Sequence, residues 1–134
     1  MRNRAGIIMW CKPKKQLLLI KRIKNGSVYY VVPGGGVKDG ETFETAAKRE
    51  LNEETGVCAG KIKEFVTVNT DRGLEKYYIS TVSDTCYIKI HGEEQSRQND
   101  SNQYIPRWIY IDKLNCINLL PAELKEFIKL KICI

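Results

Sequence analysis

Three carboxylates stand close together in the stretch PGGGVKDGETFETAAKRELNEETGV, residues 33–57: Glu50, Glu53 and Glu54, preceded by Arg49 and reached from a run of glycines. If residues 43–55 are helical, at about 100° per residue Phe43, Ala46, Ala47 and Leu51 fall on one side and Thr45, Lys48 and Asn52 on the other. On that wheel Glu50 and Glu54 lie within the apolar face, and Glu53 lies at its margin near Ala46. A glutamate-rich helix ordinarily presents a solvated face with i, i+4 salt bridges; here the acids are directed inward. Two glutamates one turn apart repel, and burying ionised carboxylates without partners is costly. Arg49 and a lysine from elsewhere can supply part of the balancing charge, but Arg49 projects to the flank beside Glu53 and cannot neutralise all three. A divalent cation can. Oxygen-only ligands, with no cysteine or histidine nearby, favour Mg²⁺ or Mn²⁺ over zinc. Magnesium held by few carboxylates completes its shell with water and substrate phosphate, so a phosphate-bearing substrate is expected.

The elements that must position these residues can be read along the chain. Residues 5–10 (AGIIMW) and 16–20 (QLLLI) are short apolar runs separated by the turn-like CKPKK, which suggests a hairpin. After the turn KNGS, the run VYYVV at 28–32 is β-branched and aromatic, and it stops at Pro33 and three glycines, where strand is expected to give way to loop. Thr42 suits an N-cap, Glu44 suits the positive end of the helix dipole, and Gly56 suits the left-handed residue that closes a helix, so a helix is expected over 43–55. Downstream, KIKEFVTVNT and EKYYISTVSDTCYIKI have strand patterns, the second long enough for two strands. HGEEQSRQNDSNQ is loop-like, RWIYI restores a strand, and PAELKEFIKLKICI suits a closing helix. Strands, helix, strands, helix imply an α/β or α+β domain with a mixed sheet covered by helices, in one domain over residues 1–134.

The whole-chain properties exclude several classes. At 134 residues one domain with a real core is expected. No window approaches the roughly 18 consecutive apolar residues of a membrane span, and the first residues lack a signal-peptide pattern, so a cytoplasmic protein with no membrane partner is expected. The five cysteines are scattered without a C-x-x-C pair, which favours reduced structural thiols. His91 is the only histidine, leaving little for a histidine metal site or a Ser-His-Asp triad. The net charge of +6 suits a polyanionic partner, although the densest clusters, KPKK and KRIK, also read as solvated edge-strand lysines. No helix-turn-helix, zinc-finger or RNP motif is present. The glycine run lacks the Gly-Lys-Ser/Thr ending of a phosphate loop and the spacing of a dinucleotide fingerprint.

Together these residues resemble the Nudix box, Gly-x5-Glu-x7-Arg-Glu-U-x-Glu-Glu-x-Gly-U with U a bulky aliphatic residue. Gly35, Glu41, Arg49, Glu50, Leu51, Glu53, Glu54, Gly56 and Val57 match every fixed position. The strand LLLIKR, the entry VVPGGG and the later RWIYIDKL also resemble the flanks of a Nudix domain. The resemblance implies an α/β/α sandwich with a central mixed sheet. It implies that Glu50, Glu53 and Glu54 hold Mg²⁺ or Mn²⁺ directly or through water, joined by the carbonyl of Gly34. Arg49 would orient a catalytic glutamate, Glu41 would tie down the loop, and Gly56 would end the helix. The implied chemistry is attack by a metal-activated water on a diphosphate linkage in a nucleoside diphosphate joined to another group. Glu50, Glu53 or a glutamate of the later loop would take the proton. Glu93 and Glu94 are the loop candidates, and Glu94 is preferred as an extra ligand. Arg22, Tyr77 and Tyr104 are candidate substrate contacts, with Tyr78 and Trp108 as further rings that could stack or simply pack. A small nucleotide-type substrate is the expected partner. An RNA 5′ end and a non-catalytic nucleotide-sensing role stand as alternatives, and monomer or homodimer is left open.

Overall fold

The apolar runs at the start of the chain become strands buried on both faces. The computed structural model describes residues 2–85 and 101–132. β1 (Arg4–Cys11) and β2 (Gln16–Lys24) form the expected hairpin, antiparallel with Trp10 opposite Leu17 and Cys11 opposite Gln16. Ile7, Ile8 and Met9 in β1 and Leu17 to Ile20 in β2 are all buried, the continuous pattern of strands covered from both sides. A two-residue turn at Asn25 and Gly26, both with positive φ, leads into β3 (Ser27–Val31). That turn fixes the register, setting Lys24 opposite Ser27 and Arg22 opposite Tyr29.

β1 and β2 pair with each other only near the hairpin turn. Farther along, β2 pairs with β3, while β1 pairs with β4 (Gly34–Gly36) through Arg4–Gly36, Ala5–Gly35 and Gly6–Gly34. The glycine run, expected as loop, is therefore a short strand paired with β1 where β1 has parted from β2. Glycine makes this approach feasible: a Cβ at Gly34 would lie 2.5 Å from the Ala5 carbonyl oxygen and 2.8 Å from Gly6 Cα.

The remaining strands complete one mixed sheet. β6 (Gly73–Val82) runs parallel to β1 along its whole length, and β5 (Lys63–Thr70) is antiparallel to β6. β7 (Asn102–Tyr110) lies antiparallel along β2, and the short β8 (Leu119–Leu120) is parallel to β3. The second strand expected in EKYYISTVSDTCYIKI falls on residues 86–90, outside the described residues.

Successive side chains of β1 and β2 go to opposite faces, so the sheet has two cores. Ile7, Met9 and Leu18 pack with Ala46, Ala47 and Leu51 of α1 (Phe43–Thr55). Ile8, Leu17 and Leu19 pack with Leu114 of a 3₁₀ turn (Ile111–Cys116) and with Leu124 and Ile128 of α2 (Ala122–Lys131). The result is the expected α/β/α sandwich. α1 has the expected bounds and caps: the Thr42 hydroxyl accepts the Thr45 N–H at 3.1 Å, and Gly56, at φ 75°, donates to the Asn52 carbonyl. Cys11 is a buried free thiol, and Cys58 and Cys116 are exposed ones. Among the described residues no helix is long and apolar enough to cross a membrane.

Candidate active site

Burying Ala46, Ala47 and Leu51 on the sheet turns the acidic side of α1 toward the glycine strand. Glu54 is only 8% exposed, and its Oε1 accepts the Gly34 N–H at 2.7 Å. The Glu50 carboxylate lies against Gly35 so closely that a Cβ there would overlap it. Glu53 stands at the rim with its side chain 48% exposed. The order of burial follows the helix wheel, with two acids inward and one at the margin.

Arg49 connects these acids to the loop before the helix. Its Nε and Nη2 donate to the two oxygens of Glu41 at 2.8 and 3.0 Å, and Nη2 also donates to the Gly36 carbonyl at 3.0 Å. Nη1 donates to Glu50 at 2.8 Å and lies 3.4 Å from Glu53. Arg49 does lie beside Glu53 as expected, and it reaches Glu50 as well, because Glu41 and Gly36 hold the guanidinium over the strand. The protein itself answers part of the buried charge, with Arg49 on Glu50 and a backbone N–H on Glu54. Glu41 also accepts the Lys38 N–H at 2.9 Å. Its hydrogen bond to Arg49, and next the one from Lys38, hold its pKa down at about 2. The Glu41 hydrogen bond is likewise the main cause that raises the Arg49 pKa above its ordinary value.

These groups line an open cleft of about 970 Å³. Arg22 and Tyr104 are brought to it, facing each other across β2 and β7, with the Arg22 guanidinium 3.7 Å from the Tyr104 ring centroid and 5.7 Å from that of Tyr29. Asn102 Oδ1 accepts from Arg22 at 2.7 Å and keeps it in place. Tyr77 is not brought there. It is 8% exposed in the core behind the sheet, and its hydroxyl donates to Glu75 at 2.6 Å. Burial, reinforced by Glu75, pushes that hydroxyl's pKa well up. A strand position alternates between faces, and Tyr77 took the packed one. Tyr78 and Trp108 pack with the α1-side core. Glu93 and Glu94 lie outside the described residues.

The cleft also contains cations that the sequence reading did not single out: Arg2, Arg4, Lys24, Lys38 and Arg72. Lys24 and Tyr29 could have been found, because residues two apart on a strand share a face and the Asn-Gly turn sets Arg22 opposite Tyr29. Arg72 could not, since its approach to Arg2 depends on a backbone contact between distant segments.

The donor set suits a hard divalent ion in kind, being carboxylate oxygen beside a glycine backbone. Gly35 leaves room for the Glu50 carboxylate, which a side chain there would displace. As placed, no three acidic, histidine or cysteine side chains among the described residues form a ready-made metal cluster. Glu50 and Glu54 are engaged by Arg49 and Gly34 instead.

A family model described as NUDIX domain matches residues 1–130. Over 57 residues the chain is 44% identical to an RNA pyrophosphohydrolase of Pelagibacter ubique, covering 42% of this chain and 35% of that protein. Over 112 residues it is 28% identical to an oxidized purine nucleoside triphosphate hydrolase of Danio rerio, covering 81% of this chain and 66% of that one. The chain therefore spans about a third and just under two thirds of these two relatives. Its fold is similar to that of a C. elegans Ap4A hydrolase solved as a binary complex, with a TM-score of 0.70 at 18% identity over 95% of this chain and 93% of that one.

Proposed function

The chain belongs to the NUDIX domain family, and from that premise we propose that it is a Mg²⁺- or Mn²⁺-dependent pyrophosphohydrolase acting on a nucleotide-type substrate. The observation that carries this reading is the placement of Glu50, Glu53 and Glu54 along one edge of α1, against Gly34 and Gly35, inside an arginine-rich cleft. Glu50, Glu53 and Glu54 would hold the ion, with the Gly34 carbonyl beside them. When bound, the metal would lower the pKa of a water and offset charge on phosphate oxygens.

The chain's own residues do the rest. Arg49 holds Glu50 in orientation, and Glu41 in turn holds Arg49, so the carboxylate is fixed before substrate arrives. Glu50 or Glu53 accepts the water's proton. Arg22 and Tyr104 offer a charged edge and a ring face to the nucleotide.

Incubation with nucleoside triphosphates, nucleotide sugars, ADP-ribose and dinucleoside polyphosphates plus Mg²⁺, reading released phosphate or pyrophosphate, tests the proposal. Turnover is expected with metal and should fall at least about 100-fold in Glu53→Gln and Glu54→Gln. Turnover that survives both substitutions, or that needs no metal, would sink the mechanism. Metal-independent binding without turnover would favour a sensing role instead.

A second reading, action at an RNA 5′ end, draws on the cleft being open and basic and on the local identity to an RNA pyrophosphohydrolase. Binding of 5′-triphosphorylated RNA would then weaken steeply with salt. A flat salt response would count against it.

A further inference from the structure

The β5–β6 hairpin overhangs the strand it packs beside. The parallel pairing of β6 with β1 begins at Arg4 and Glu75, so the residues from Thr70 to Leu74 lie beyond its last rung. They are held by the two residues that precede β1. The Arg2 N–H donates to the Arg72 carbonyl at 2.7 Å, and the Leu74 N–H donates to Asn3 Oδ1 at 3.1 Å. Gly73 makes room for this contact: at φ 147°, a Cβ there would stand 2.6 Å from the Arg2 carbonyl oxygen and 2.9 Å from Asn3 Oδ1.

The same two residues reach the glycine strand. The Asn3 carbonyl accepts the Val37 N–H at 2.9 Å, directly after Gly36, and the Arg2 guanidinium packs over Gly36, 2.7 Å from where a Cβ would stand. Gly36 in turn holds Arg49 through its carbonyl, and Arg49 holds Glu50. Asn3 thus has one oxygen on the turn and one on the strand beside the acids.

We propose that Asn3 is a positioning residue: its side-chain oxygen fixes the overhanging turn and thereby sets Arg72 in the cleft. The inference rests on the hydrolase reading, since it concerns how that reading's cleft meets an anionic substrate.

The turn is tied within itself as well as to Asn3. The Thr70 hydroxyl accepts the Arg72 N–H at 3.2 Å and donates to the Gly73 carbonyl at 2.8 Å. A hairpin end that is braced internally pivots as a unit when its outer anchor is lost, and Arg72 goes with it. Arg4 shares its rung with Glu75, whereas the Arg72 guanidinium makes no ion pair among the described residues. An arginine so placed, lining the cleft, suits a phosphate oxygen of the substrate. Because the bond to Val37 comes from the main chain, replacing the Asn3 side chain spares the link through Gly36 to Arg49 and Glu50. Substrate binding should suffer, and the chemical step should not.

The test is a double-mutant cycle in the full chain with Mg²⁺, using Asn3→Leu, Arg72→Ala and the two combined. KM for the best substrate of the panel should rise about 5-fold in Asn3→Leu and about 5-fold or more in Arg72→Ala, with kcat within about twofold of wild type. The double variant should match Arg72→Ala, because a displaced turn costs nothing further once the guanidinium is gone. Asn3→Asp keeps the accepting oxygen and should lie closer to wild type than Asn3→Leu. Calorimetric binding of ADP, which needs no turnover, should follow the same order. Losses that multiply in the double variant, a fall in kcat at unchanged KM in Asn3→Leu, or ADP affinity unchanged by Asn3→Leu would each overturn the inference and leave the hydrolase reading intact. The expected order in ADP binding, with no turnover of any substrate, would instead overturn the hydrolase reading and leave the role of Asn3 standing.

Discussion

At Gly35 an added methyl group would overlap the carboxylate of Glu50, whereas at Gly60 it would meet nothing within 4 Å. The contrast isolates what one glycine does for the site. Gly35→Ala must push Glu50 away from the strand and away from Arg49, and a displacement of about 1 Å can cost on the order of 100-fold in rate. A fall in kcat of that order is expected, with a stability loss of about 1–3 kcal/mol from overpacking. Gly60→Ala should leave both within error, and steady-state kinetics with urea unfolding checks the pair. An active Gly35→Ala would mean that the position of Glu50 is not critical. At this scale the box residues were legible because their chemistry and spacing are local. The partners of Glu54 were not, since the Gly34 N–H is 20 residues away and reaches the acid only through the pairing of β1 with β4.

The junction of the loop and α1 works as one element. Thr42 caps the helix, Glu41 accepts from the Lys38 N–H, and both Glu41 oxygens receive Arg49 nearly two turns into the helix. Because the folded state lowers the pKa of Glu41 from 4.5 to about 2, its contribution to stability is complete above pH 4.5. That contribution is lost as pH falls through about 2. The stability gap between wild type and Glu41→Gln should therefore be constant above about pH 5, shrink below 4.5 and close near 2, as urea unfolding across pH would record. A gap unchanged down to pH 2 would show that the charge is not what anchors the loop. The helix itself was readable from Thr42, the apolar spacing and Gly56. The short strand at Gly34–Gly36 was not, because three glycines carry no strand propensity and pair only where β1 offers its edge.

In the molecule as a whole, the sheet separates two cores, and only one of them supports the acids. Leu18 packs toward α1, and its neighbour Leu19 packs toward α2, both fully buried. Leu18→Ala and Leu19→Ala should each cost about 2–5 kcal/mol. At a temperature where both remain folded, only Leu18→Ala should also lower kcat, because the cavity it leaves lies under the helix bearing Glu50 and Glu54. Equal kinetic losses would place the dependence on global stability instead. The chain by itself determined the strands of the first hairpin, the helix over 43–55 and the box, because each follows from local spacing or turn type. Tertiary structure decided that Tyr77 serves the core while Tyr104 and Arg22 face the cleft. It also decided that Arg49 leans on Glu50, and that Arg2, Arg4 and Arg72 line the same cleft. Those outcomes depend on which strand edge pairs with which, and on which face of the sheet a residue lands. Such relations are set by contacts between residues tens of positions apart, and no short window of sequence contains them.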